Sequence, residues 1–365
     1  MNLKRSGAAA AIALVAALAL SSCAANETDA PAPASTGAGT KLTGTLIGAG
    51  SSAQKAAQEA WTAEFQKANP GVDISYDPTG SGAGRTTFIA GGSDFAGSDS
   101  ALNADELKKT FGACAPDTTA IDLPVYISPI AVIFNIDGVT DLKLDAKTLA
   151  GIFKGAITKW NDPAIAALNP DAKLPDAAIT AVHRSDDSGT TKNFTDYLFQ
   201  NAPDVWDAKP ADPFPYKTGE GAQGTSGVVT AVTNGKNTIG YADASKAGKL
   251  GVAKIKIGET FVGYTAEAAA KVVAESKPAA DRPANDLAFS LNRKTTDPTH
   301  YPLVLVSYAI VCQQYKDAAK AELVKAYVSY LAGVDGQSVA ASAAGAAPLS
   351  ADLQKKVADA LATIK

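Results

Sequence analysis

Histidine is almost missing from this chain: His183 and His300 are the only two in 365 residues, and no two of the three cysteines lie close together. A transition-metal site built from imidazoles and thiolates is therefore not expected. Basic charge is not in excess either, since 33 Lys and Arg face 37 Asp and Glu for a net charge of −4. That balance argues against nucleic acid as a partner, because a polyanion is held by a basic face. After residue 20 no apolar run is long enough to cross a bilayer. His183 and Ser188 lie five residues apart, but no Gly-x-Ser-x-Gly elbow surrounds that serine and no third orienting group is evident, which argues against a hydrolase triad.

What is present begins with a leader. Lys4 and Arg5 precede an apolar run from Ala8 to Leu20, too short for a stop-transfer helix, and Leu20-Ser21-Ser22-Cys23 follows. That tetrapeptide resembles the lipobox of bacterial lipoproteins. The resemblance implies that residues 1–22 are removed and that Cys23 carries a lipid anchor on the extracytoplasmic face of the cell membrane. Loss of Lys4 and Arg5 takes the formal charge from −4 to −6. Residues 23–40 are rich in Ala, Pro, Ser, Thr and Gly without apolar periodicity, which predicts a flexible tether. The remaining 325 or so residues exceed what one hydrophobic core usually serves, so two lobes are expected. Cys114 and Cys312 are expected to form a disulfide in an oxidising compartment, two buried free thiols being the alternative.

Along this stretch strands alternate with helices. Thr45, Leu46 and Ile47 read as a strand, Gly48-Ala49-Gly50-Ser51-Ser52 as a turn, and Ala56, Ala57, Ala60, Trp61 and Phe65 as an amphipathic helix opened by Ser51 and Gln54 at capping-box spacing. The unit repeats in outline: Val72, Ile74 and Tyr76, then Thr79-Gly80-Ser81-Gly82-Ala83-Gly84, then a short helix to Ala90 and a strand ending at Ser98-Asp99. A helix is expected over Ala101 to Thr110. This alternation predicts an α/β fold with largely parallel sheets and a ligand crevice at the strand C-termini. The apolar stretch Ile121 to Asn135, broken by Pro124 and Pro129, reads as a crossing between lobes, with a second near residues 285–302. Lobe I is then 41–125 with 300–365, and lobe II is 126–299.

The most informative segment is Arg184-Ser185-Asp186-Asp187-Ser188-Gly189-Thr190-Thr191. Phe194, Tyr197 and Leu198 follow at helical spacing, so Ser188 reads as an N-cap and the amides of Gly189 and Thr190 as unpaired first-turn donors. A helix start and a guanidinium together suit an oxyanion. Ser51-Ser52-Ala53 and Gly80-Ser81-Gly82 share the device of a small hydroxyl residue beside Gly or Ala at a helix start. Asp99 reads either as a turn residue or as a selector. An ionised carboxylate only accepts hydrogen bonds, so it satisfies an anion that still carries a proton and repels one that does not.

These motifs together resemble the phosphate-binding protein of the bacterial high-affinity phosphate ABC importer, over the chain from Leu42 to the C-terminus. The resemblance implies a two-lobe type II periplasmic-binding-protein fold that closes on inorganic phosphate and delivers it to membrane permease subunits with a cytoplasmic ATPase. It implies Ser52, the Ala53 amide, Ser81, Asp99, Arg184, Ser188, Gly189 and Thr190 as phosphate ligands, with Asp186 orienting Arg184. It implies no cofactor, no metal and no chemistry on the cargo, and the protein is expected to be a monomer. Two positions depart from the family pattern: Ser52-Ala53 replaces a common Thr-Phe, and Gly82 replaces a second hydroxyl. Rival readings are a receptor for another oxyanion, a secreted phosphate-ester hydrolase, and a surface adhesion or sensory role. Trp61, Trp160 and Trp206 are expected in the core, and Tyr241 in core or hinge packing.

Overall fold

The computed structural model describes residues 41–365; the expected leader, Cys23 and the tether lie outside the described residues. The first half of the fold opens with β1 (Gly44–Gly50), α1 (Lys55–Ala68), β2 (Val72–Asp77), α2 (Ser81–Ala90) and β3 (Phe95–Ser98), and leads into the 16-residue β4 (Ala120–Asn135). Next come β5 (Lys143–Leu144), α3 (Ala146–Lys154), α4 (Pro163–Leu168), β6 (Thr180–Arg184), α5 (Gly189–Asn201), β7 (Glu220–Ala222), α6 (Gly224–Asn234) and β8 (Thr238–Asp243). Short strands β9 (Gly251–Val252), β10 (Lys254–Ile257) and β11 (Thr260–Val262) precede α7 (Ala266–Ala274), β12 (Lys277–Pro278) and β13 (Phe289–Ser290). The chain ends with β14 (Val304–Cys312), α8 (Ala318–Ala332), α9 (Val334–Ala344) and α10 (Ala351–Ala362).

The main sheet runs β2-β1-β3-β14-β4-β8-β6-β7, with β9 added to β4. Its outer pairs are parallel, as the alternation predicts, but β3–β14, β14–β4 and β4–β8 are antiparallel. The antiparallel centre arises because β4 and β14 run past each other in opposite directions. β4 pairs with β14 up to Pro129 and with β8 from Ile130, so one strand belongs to two groups. All nine residues of β14 and all but the last of β4 are buried, which explains why both read as continuous apolar runs rather than alternating ones.

The register of β14 on β4 slips between Ser307 and Tyr308, opposite Tyr126 and Pro124. Pro124 has no amide to give the ladder, and a bulge accommodates it. Trp61, Trp160 and Trp206 are fully buried, as expected. Cys114 and Cys312 form a disulfide with Cα atoms 5.3 Å apart, tying the segment after β3 to the end of β14. One expected element is absent: residues 101–110 form turns. Asn103 Oδ1 accepts the amides of Asp105 and Glu106 at 3.0 and 2.9 Å, and Leu102 N donates to buried Asp122, so local polar bonds and a tertiary contact displace the helix.

Candidate functional site

Turns at the C-terminal ends of β1, β2 and β3 make one wall of a cleft. Their backbones are joined, with Ser51 N donating to Gly97 O and Gly80 N to Gly50 O, each at 2.8 Å. The facing wall is the turn from β6 into α5, and Gly82 N donates across to Asp187 O at 3.0 Å. A Cβ at Gly82 would stand 2.4 Å from that of Asp187, so a side-chain hydroxyl there has no room. This explains one of the two departures noted in the sequence.

Asp99 sits at the junction, 4% exposed. Its Oδ1 accepts the hydroxyls of Ser51 and Ser307, both at 2.5 Å, and its Oδ2 accepts Thr190 Oγ1 at 2.9 Å. Its amide donates to Ser81 Oγ at 3.1 Å, and Asn193 Nδ2 donates to its carbonyl at 2.7 Å. Burial raises the Asp99 pKa above its ordinary value, while the three hydroxyls and the charge of Arg184 oppose that rise without cancelling it.

Arg184 is also buried, at 3% exposure. Its Nε donates to Asp186 Oδ1 at 2.7 Å and its Nη2 to Asp186 Oδ2; Gly224 N adds a 2.9 Å bond to Asp186 Oδ1. For Asp186, burial pushes the pKa up, but the bonds and charge of Arg184 win and hold it below the ordinary carboxylate value. Asp186 thus holds one edge of the Arg184 guanidinium in place. It leaves Nη1 of Arg184 without a protein acceptor among the described residues.

Ser188 caps α5 by accepting Thr191 N at 3.2 Å, and the Gly189 and Thr190 amides fall in the first turn, where no intrahelical acceptor exists. A Cβ at Gly189 would lie 2.7 Å from that of Asp99 and 2.8 Å from Ser81 Oγ. Helix start, Ser81 and Asp99 therefore meet at one point. Ser52 Oγ accepts Thr225 N and pairs with Thr225 Oγ1, each at 3.0 Å, whereas the Ala53 amide donates to Ser51 Oγ at 3.1 Å.

Five residues take parts in the site that the sequence did not assign them. Ser51 and Gln54, expected as a capping box, do not cap α1: Gln54 occupies the N-cap position without a side-chain cap, and both side chains join the network around Asp99. Ser307 is the one small hydroxyl residue in an otherwise largely apolar buried strand, and a buried polar side chain needs a partner. Thr225 follows Gly224 at the start of α6, a fourth copy of the hydroxyl-beside-glycine device. Tyr241 proves more than packing: its hydroxyl accepts Arg184 N at 3.3 Å and bonds Thr191 Oγ1 at 2.7 Å, fixing the Arg184 turn to α5.

Neutral donors, one guanidinium and one acceptor-only carboxylate together suit an oxyanion that carries a proton. Comparison with known proteins agrees with this chemistry. The PBP superfamily domain profile matches residues 31–335. Phosphate-binding protein PstS 2 of Mycobacterium tuberculosis is 36% identical over 325 residues, 87% of each chain. PstS of Pasteurella multocida is 31% identical over 330 residues, 88% of this chain and 91% of that one.

The chain belongs to the PstS phosphate-binding proteins.

A solved high-affinity periplasmic phosphate-binding protein with bound phosphate, PfluDING, shares the fold with a TM-score of 0.71 at 22% identity, over 86% of this chain and 92% of that one. The phosphate-binding protein from Stenotrophomonas maltophilia gives 0.63 at 20% identity, over 87% and 93%. The fold is thus the two-lobe type II arrangement expected. Within this PstS frame His183 stacks on Phe214 with ring centroids 3.9 Å apart and bonds the Arg184 carbonyl through Nδ1 at 2.9 Å, so it is engaged away from Ser188. Asp187 is exposed, whereas the Asp186 carboxylate is taken up by Arg184 and the Gly224 amide. Among the described residues no His, Cys, Asp and Glu cluster fits a metal, and no helix is long and apolar enough to cross a membrane.

Proposed function

We propose that this protein captures inorganic phosphate outside the cytoplasm and hands it to an ABC-type permease, without chemistry on the cargo. Ser52, Ser81, Ser188, the amides of Gly189 and Thr190, and Nη1 of Arg184 donate to the phosphate oxygens, and Asp99 accepts the phosphate proton. The Ala53 amide completes the set by sharing its hydrogen between Ser51 and the ligand. Lobe I is 41–125 with 300–365, lobe II is 126–299, and the change of partner in β4 at Pro129 supports that division. The protein acts as a monomer held to the membrane by lipid on Cys23.

One observation carries the reading: a buried carboxylate, with hydroxyl donors from both walls, stands beside a buried Arg and a helix start. A fully ionised guest leaves that carboxylate facing an unpaired charge, which rejects sulfate. Thermal-shift titration of the soluble form beginning after Cys23 tests it. Phosphate and arsenate raise the midpoint by mass action while sulfate does not, and Arg184→Ala abolishes the phosphate shift while keeping the fold. Equal shifts with sulfate point instead to a general oxyanion receptor.

A further inference from the structure

Behind Asp99 runs a line of buried polar side chains. Tyr327 OH donates to Gln58 Oε1 at 2.9 Å, Gln58 Nε2 to Gln54 Oε1 at 2.8 Å, Gln54 Nε2 to Ser307 Oγ at 2.6 Å, and Ser307 Oγ to Asp99 Oδ1 at 2.5 Å. Thr62 Oγ1 lies 3.2 Å from Tyr327 OH at the outer end. Gln54, Gln58, Ser307 and Tyr327 are each at most 1% exposed. Burying so many polar groups is unfavourable unless every one is paired.

The direction of this line is fixed by one carbonyl. Gln54 Nε2 also donates to Tyr308 O at 3.2 Å, and a carbonyl can only accept, so the Gln54 amide cannot be turned round. Ser307 must then accept from Gln54, and its single proton has only Asp99 to go to. At the other end Gln54 Oε1 must accept, which forces Gln58 to donate inward and to accept from Tyr327. The bulge at Ser307/Tyr308 is what sets the serine hydroxyl and the next carbonyl side by side before Gln54. Ser51 is committed in the same way, because its oxygen accepts Ala53 N at 3.1 Å and Gln54 N at 3.4 Å and its proton goes to Asp99 Oδ1.

Oδ1 therefore receives two fixed donors and is full, whereas Oδ2 receives only Thr190 and keeps one accepting position. Resting on the assignment of Asp99 to the anion site, we propose that Gln54 and Ser307, backed by Gln58 and Tyr327, are positioning residues that hold Asp99 as an ionised acceptor and direct the ligand's proton to Oδ2. Selection of a protonated oxyanion is then a property of the whole line and not of Asp99 alone. Other groups face Asp99 too: Arg184 with its Asp186, Asp243 beneath Tyr126, and Tyr76. None of them bonds Ser307 or Gln54, so their titration is common to the wild type and to variants at those positions.

The test is phosphate calorimetry with sulfate competition from pH 5 to 9, on wild type, Ser307→Ala, Gln54→Met, Tyr327→Phe and Arg184→Ala. Losing a hydrogen bond to a charged group weakens binding by about tenfold, so Ser307→Ala loses about that much phosphate affinity at pH 8. The acid limb of its affinity moves to higher pH, and sulfate competes at pH 5, where the neutral acid can donate. Gln54→Met and Tyr327→Phe show the same shift in smaller degree. Folded Ser307→Ala and Gln54→Met proteins with the wild-type pH profile and sulfate rejection overturn the proposal. Should those two fail to fold, an unchanged profile in Tyr327→Phe overturns it equally. Loss of phosphate binding in Arg184→Ala alongside an unshifted Ser307→Ala removes the relay alone, whereas normal binding by Arg184→Ala removes the site assignment itself.

Discussion

Asp99 and Asp122 are both buried carboxylates beside the same sheet, yet they are surrounded in opposite ways. Asp99 accepts three hydroxyls, while Asp122 in β4 meets Arg282, whose Nη1 bonds Asp122 Oδ2 at 2.9 Å and Asp286 Oδ2 at 2.7 Å. Burial and the neighbouring Asp286 push the Asp122 carboxyl up to about 7. A guanidinium against Asp99 would saturate its lone pairs and offset its charge, and any anion could then approach. Hydroxyls stabilise the carboxylate but leave its charge and one lone pair to act on a guest. Under the proposed function, the difference separates a carboxylate that selects from one that holds structure together.

The largest expected effect breaks this comparison directly. In Asp99→Asn the amide oxygen still accepts Ser51 and Ser307, so the NH2 group faces the ligand and donates. The preference for phosphate over sulfate should fall by about a hundredfold or more, since a buried unpaired charge no longer penalises sulfate. Phosphate itself continues to bind, and competition calorimetry reads the ratio. Unchanged discrimination would place selection elsewhere in the cleft.

Next comes Arg282→Met, which leaves Asp122 and Asp286 without their cation. Urea unfolding at pH 8 should show a loss of about 3–5 kcal/mol, the usual effect of breaking a buried ion pair from one side. Phosphate affinity should stay within about twofold, because Arg282 bonds Asp122, Asp286 and the Leu102 carbonyl and neither Asp99 nor Arg184. A large affinity loss with a small stability loss would reverse the two roles.

A smaller effect appears in the pH dependence of stability. A carboxyl raised on folding binds more protons in the native state, so its contribution is complete below pH 4 and is lost as pH rises through its folded value. For Asp122 that window reaches about pH 7, and Asp243, raised to about 6 by burial, adds to it. Asp122→Asn should therefore lose less thermal stability between pH 5 and 8 than the wild type does. An identical slope in the two proteins would mean that Asp122 does not titrate there.

The same contrast marks how far the sequence could be read. Arg184 and the α5 start stood out as candidates because a charged residue beside a hydroxyl- and glycine-bearing helix start announces itself locally, whereas Asp99 read equally well as a turn residue and was singled out only by the family resemblance. Ser307 and Gln54 were not legible, since one lies in a nine-residue apolar strand and the other mimics half of a capping box. Their role depends on a bulge that brings residues 253 apart in sequence into one hydrogen bond. The β-α alternation gave the parallel outer strands, but the antiparallel centre follows from β4 serving two partners, which no local pattern encodes. The missing helix at 101–110 has the same origin, because Leu102 is claimed by Asp122 through its backbone amide.

The smallest expected effect asks whether donors or shape distinguish Asp99 from Asp122. Thr190→Ser keeps the hydroxyl that bonds Asp99 Oδ2, and the methyl it loses lies outside that bond. Its phosphate affinity and pH profile should stay within about twofold of wild type. Thr190→Val keeps the shape but removes the donor, and by the rule for charged hydrogen bonds it should weaken phosphate binding about tenfold and move the acid limb to higher pH. If valine behaves as serine does, the hydroxyls around Asp99 serve only to fill space, and burial alone sets its chemistry.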